Sequence, residues 1–164
     1  MLALLFLPPV TPAFAAPAGK GSAVREIVSG IVSYTRWPAL NDKPTLCIFS
    51  SSAYVSALQK GDADTRPYNP VTVQNEQEAL ASRCDALYFG LESPESQQAI
   101  VRQFAPRPLL TLSEQNPDCA IGSAFCLQIR PQRVTFSVNL DALSRSGVRV
   151  NPDVLMLARN KEHE

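Results

Sequence analysis

This 164-residue chain contains one histidine, His163, next to its last residue. That scarcity leaves any Ser-His-Asp or Cys-His arrangement without a credible base. None of its cysteines forms a C-x-x-C pair, so a zinc site and a thioredoxin-type dithiol both lack the spacing they need. No G-x-G-x-x-G, no Walker A lysine loop and no S-x-x-K sequence occurs, so nucleotide and penicillin-type sites lack their scaffolding. Neither sign of charge dominates. Fifteen Lys and Arg balance fifteen Asp and Glu, which gives nucleic acid no electrostatic footprint to meet. Apolar runs are short as well: Leu2 to Leu7 is broken by Pro8, Pro9 and Pro12, far below the twenty or so residues a bilayer requires. A membrane-spanning segment and a bound cofactor are therefore not expected.

What the chain does contain begins with that apolar run. It is followed by Ala13-Phe14-Ala15 and then Ala16-Pro17, an A-x-A cleavage pattern, so residues 1–15 read as a secretory signal sequence and residues 16–164 as one domain. The run opens without the Lys or Arg usual in a signal, which points to a shortened start. Export to an oxidising compartment makes four cysteines a disulfide framework. Three pairings are possible. A βαβ arrangement would bring Cys47, on a first strand, near Cys84, just before a third; Cys119 and Cys126 would then staple a short loop to the strand it enters. An exposed loop bridge between Cys119 and Cys126 would be the reducible one.

Fourteen prolines predict short elements joined by ordered turns. Val24, Ile27, Val28, Ile31, Val32 and Trp37 follow helical spacing, with Ser22 as N-cap and Pro38 as the stop. Residues 45–49, 70–74, 86–90 and 109–112 read as strands, alternating with helices over 53–60, 76–82 and 93–104. Residues 125–130 and 133–138 form a hairpin signature around Pro131-Gln132. A helix capped by Asn139 or Asp141 and closed by Gly147 follows, then a last helix after Asn151-Pro152 that buries Val154, Leu155, Met156 and Leu157. The fold class is α/β: a single-domain sandwich with a mixed β-sheet, helices on both faces, and a C-terminal hairpin-helix-helix unit. Glu92 with Glu95, and Asp141 with Asp153, read as surface acids near helix N-termini rather than catalytic pairs.

Two stretches resemble a known family. Ile27 to Pro38, an amphipathic helix ending in Trp37-Pro38, is similar to the opening helix of YfiR-type proteins. Gly122 to Ala142, with Ser146-Gly147-Val148 and Leu155 to Arg159, resembles their C-terminal pattern of hairpin, N-L-x-A helix, small-Gly turn and L-x-L-A helix. The resemblance implies a non-enzymatic periplasmic repressor that binds the sensor region of the inner-membrane diguanylate cyclase YfiN. It implies sequestration by the outer-membrane lipoprotein YfiB, redox-sensitive disulfides and a homodimer. Contact residues expected on side-chain chemistry are Tyr34, Arg36 and Trp37 at the helix end, an exposed Tyr68, and Arg145, Arg149 and Arg159 for bidentate contacts to acids. The alternative is a periplasmic receptor for an amino-acid-like solute, bound beside the aromatic helix end.

Overall fold

The computed structural model describes Pro8, Pro9 and residues 19–159, the side chain of Arg159 excepted. The expected signal sequence lies outside the described residues save for those two prolines. The chain opens with α1 (Gly19–Ser33), which buries Val24, Ile27, Val28, Ile31 and Val32 along one stripe. Each such side chain contributes roughly 1.5–3 kcal/mol of transfer free energy. The short strand β1 (Thr35–Arg36) comes next, then β2 (Thr45–Phe49), α2 (Val55–Gln59), β3 (Asn69–Val73), α3 (Glu76–Ala81), β4 (Ala86–Phe89), α4 (Pro94–Phe104) and β5 (Leu110–Ser113). The hairpin β6 (Phe125–Ile129) and β7 (Val134–Val138) leads to α5 (Leu140–Arg145) and the two-residue β8 (Arg149–Val150). A 3-10 turn, Pro152–Leu155, runs into α6 (Met156–Arg159).

Six strands form one sheet in the order β3-β2-β4-β5-β6-β7, parallel throughout except for the β6–β7 hairpin. Alternation along each strand divides the core in two. Leu46, Ile48, Tyr88, Leu110, Leu112, Phe125 and Leu127 face α1 and α2. Cys47, Phe49, Leu87 and Phe89 face α3 and α4, where Ile100 and Phe104 cover them. On this second side the sheet is apolar through β2 and β4 and turns polar from β5 outward, where Thr111, Ser113, Cys126 and Gln128 take the alternate positions.

Three differences from the sequence reading have physical causes. First, α1 does not reach Trp37. The Ser33 and Thr35 hydroxyls donate back to the Ser29 and Ile31 carbonyls, at 2.7 Å each, and Thr35 and Arg36 leave the helix to pair with β8. Pro38 disfavours helical backbone at Trp37, and Thr35 and Arg36 before it are already held in a strand by pairing with β8. At its other end the helix begins at Gly19, so Ser22 lies inside it rather than at its cap. Second, Leu155 and Met156 are 52% and 54% exposed and only Val154 and Leu157 pack inward. The 3-10 turn has about three residues per turn, so it rotates the apolar stripe out of phase with an α-helical reading. Third, β1 and β8 themselves were not anticipated. They form a separate two-stranded sheet that ties the end of α1 to the C-terminal segment.

Candidate functional site

The β1–β8 ribbon brings together two of the expected arginines. Arg36 and Arg149 are directly opposite each other in antiparallel register, with Thr35 opposite Val150, and both arginines are exposed. Directly opposed residues share a face with Cβ atoms about 5 Å apart, and like charges in that position are destabilising. No salt bridge to either guanidinium is seen among the described residues. Two adjacent forks with no acidic partner among the described residues make a surface suited to a partner's carboxylates.

The ribbon is held firmly. The Tyr34 carbonyl accepts from the Asn151 N–H at 2.9 Å, and the half-buried Trp37 ring donates its Nε1–H to the Asp85 carbonyl at 2.8 Å. Asp85, which sequence reasoning passed over, is the anchor for this whole end of the sheet. Its carboxylate accepts from the Thr45 N–H at 2.8 Å and from Arg107 at 3.1 Å, and its carbonyl also takes the Leu110 N–H. Trp37 and Tyr34 therefore position the arginine pair while packing against the core.

The remaining expected residues are placed elsewhere. Arg145 is exposed on α5 in an i,i+4 pair with Asp141 at 2.6 Å. The side chain of Arg159 lies outside the described residues. Tyr68 is not exposed: its ring is fully buried and its hydroxyl donates to the Leu58 carbonyl at 2.8 Å, satisfying one of the orphan acceptors at the end of α2. Flanking prolines mark the turn but say nothing of which way the ring swings. Burial also pushes the Tyr68 phenol above its ordinary pKa.

Cys47 pairs with Cys84 and Cys119 with Cys126, with Cα separations of 5.7 and 5.8 Å. The first bridge lies wholly within the core. The second is not the exposed loop bridge anticipated: Cys126 is fully buried and Cys119 only 7% exposed, which closes the route by which an attacking thiolate would reach it.

In open α/β sheets, ligands collect outside the carboxyl ends of parallel strands where the strand order reverses. Here that point falls between β2 and β4, and the protein's own carboxylates fill it. Glu114 accepts from the Ser52 hydroxyl (2.8 Å), the Ala53 N–H (2.9 Å) and the Tyr88 hydroxyl (2.9 Å). Glu92 accepts from the Ser51 hydroxyl and the Gly90 N–H, at 2.7 and 2.8 Å. Burial first, and the Glu114 charge second, raise the Tyr88 phenol far above its ordinary pKa, so it stays a neutral donor. The two loops touch so closely that a Cβ on Gly90 would sit 2.3 Å from the Ser52 nitrogen. This network knits the loops after β2, β4 and β5 together.

The fold and its surface thus define a disulfide-stapled α/β body that presents an exposed arginine pair on its β1–β8 ribbon, while its own carboxylates accept the donors at the switch point of its sheet. The chain belongs to the YfiR/HmsC-like family, whose model matches residues 22–159. That family consists of regulatory, non-catalytic proteins of cyclic-di-GMP signalling. No described helix is long and apolar enough to cross a membrane.

Proposed function

We propose that this protein is a periplasmic negative regulator that docks on the periplasmic sensor region of a YfiN-type inner-membrane diguanylate cyclase and represses cyclic-di-GMP synthesis. A YfiB-type outer-membrane lipoprotein sequesters it and relieves the repression, and the regulator works as a homodimer. Family membership supports the signalling context. The observation that carries the docking is the Arg36–Arg149 cross-strand pair, whose mutual repulsion a partner's acids would relieve. The exposed apolar side chains Leu140, Leu155 and Met156 add contact surface of the kind protein partners bury. In this reading both disulfides keep the contact surface rigid.

The test is binding of the mature protein to the isolated sensor region, with wild type compared against Arg36→Glu combined with Arg149→Glu. Reversing both charges is expected to weaken binding by at least about tenfold, with an unchanged circular dichroism spectrum. Undiminished binding by the double variant would contradict the assignment of the arginine pair to the interface.

A second reading, an effector bearing a carboxylate, rests on the same pair lying beside the half-buried rings of Tyr34 and Trp37. It requires that amino acids raise the melting temperature of the wild type and not that of the double variant.

A further inference from the structure

Parallel neighbours are usually connected through a helix that covers the sheet. The connection from β5 to β6 breaks that habit: residues 114–124 cross over without a helix. Beyond α4 this loop, in place of a helix, covers the second face of the sheet, burying Thr111, Ser113 and Cys126, and a cavity of about 460 Å³ lies between α4, the residue 120–122 segment of the loop, and α5. Its volume is in the range of small-molecule sites, about 300–1,000 Å³.

The walls are set before any ligand arrives. Gln97, fully buried on α4, accepts from the Ser123 hydroxyl at 2.8 Å and from Asn116 at 3.2 Å, and Asn116 also donates to the Ile121 carbonyl at 2.8 Å. Gly122, at φ +91°, passes so close to α4 that a Cβ would meet the Gln97 Oε1 at 2.8 Å. The Cys119–Cys126 bridge fixes the same loop to β6. A rigid loop over a polar sheet face, with no helix filling the space, is a preorganised site.

The lining chemistry is mixed in a directional way. Val101, Leu109 and Ile121 supply apolar wall, whereas Arg102, Arg107 and Arg145 contribute three guanidinium groups against the single carboxylate of Asp141. Arg145 is held by Asp141, and Arg107 by Asp85 and the Arg83 carbonyl. Arg102 is exposed and makes no ion pair with any described residue. We propose that this cavity binds a small amphipathic monocarboxylate, with the carboxylate on Arg102 and its chain against Val101, Leu109 and Ile121. The site is distinct from the Arg36–Arg149 patch and does not depend on the docking assigned to it.

The test is an amide NMR titration of the oxidised, mature protein with three probes: octanoate, 1-octanol with the same chain and no charge, and inorganic phosphate with charge and no chain. Octanoate is expected to bind saturably below about 1 mM, with shifts centred on residues 101–102, 121–122 and 142–145. Octanol and phosphate should each bind at least about tenfold more weakly. Arg102→Gln should weaken octanoate about tenfold and Ile121→Glu should abolish it, while Lys60→Gln, at an exposed residue outside the cavity, leaves it unchanged. Absence of saturable octanoate binding, equal binding of either control probe, or undiminished binding by Arg102→Gln would overturn the proposal.

Discussion

Replacing Cys47 and Cys84 together by alanine is expected to lower the unfolding free energy by about 4 kcal/mol, whereas removing Cys119 and Cys126 costs about 2 kcal/mol. The ranking follows from the chain each bridge closes. The first spans 37 residues of sequence and the second spans 7, and the unfolded chain regains more freedom from the longer loop. Packing deepens the difference. Cys47 and Cys84 are completely buried among Phe49, Leu87 and Phe89, under Ile100 and Phe104 of α4, so shortening both side chains also leaves a void between β2 and β4. Cys47→Ser alone should be worse than the double alanine variant. It places a hydroxyl in that apolar cluster, which adds roughly 1–3 kcal/mol if the group stays unpaired, and it strands a thiol at position 84. Urea unfolding under non-reducing conditions reads all of these differences directly. A larger loss from the Cys119–Cys126 pair than from the Cys47–Cys84 pair would show that the short bridge carries more structure than its loop length implies.

Gly90→Ala is the second large effect, at roughly 3 kcal/mol or more, because there is no room for one methyl group. The obstacle is backbone, not a side chain that can turn aside: a Cβ at position 90 would lie 2.3 Å from the Ser52 nitrogen and 2.5 Å from the Ser51 carbonyl carbon. Relief requires the loop after β2 to part from the loop after β4. That motion breaks the Ser51–Glu92 hydrogen bond and the Leu91 N–H contact to the Ser51 hydroxyl, and it disturbs the donors gathered on Glu114. Measured by thermal unfolding, the substitution should lower the melting temperature well below that of an alanine at an open glycine such as Gly19, around which nothing lies within 4 Å. Equal melting temperatures would mean that the seam between these loops yields at little cost.

The parts of the fold that local pattern specifies were legible from the residues. The stripe Val24 to Val32, the buried run Leu109 to Leu112 and the alternation on both sides of Pro131-Gln132 each carry their own period. Caps carry theirs too: the side chains of Ser93, Asn139 and Asn151 accept from the backbone N–H groups of Ser96, Ala142 and Asp153. Cysteine pairing followed from strand order, because placing β4 beside β2 brings position 84 to position 47.

The candidate site was less legible because nearly all of it arises between distant segments. A two-residue strand has no period to detect, so the pairing of Arg36 with Arg149 appears only once β1 and β8 meet. Tyr68 looked exposed because the prolines around it signal a turn, and the free carbonyl of Leu58 that draws its hydroxyl inward belongs to another element. Glu114 and Asp85 gave no signal as single acids in the sequence. Their importance lies in how many donors the folded chain aims at them. The cavity beside α5 is likewise a consequence of a crossover without a helix, something visible only after β5 and β6 are known to be parallel neighbours.

The most direct measurement is cyclic-di-GMP in cells from which the gene has been deleted and then restored as wild type or as the Arg36→Glu, Arg149→Glu variant. The account predicts a several-fold rise on deletion, return to the starting level with the wild-type gene, and no return with the variant at equal protein abundance. Levels that stay flat on deletion would contradict it.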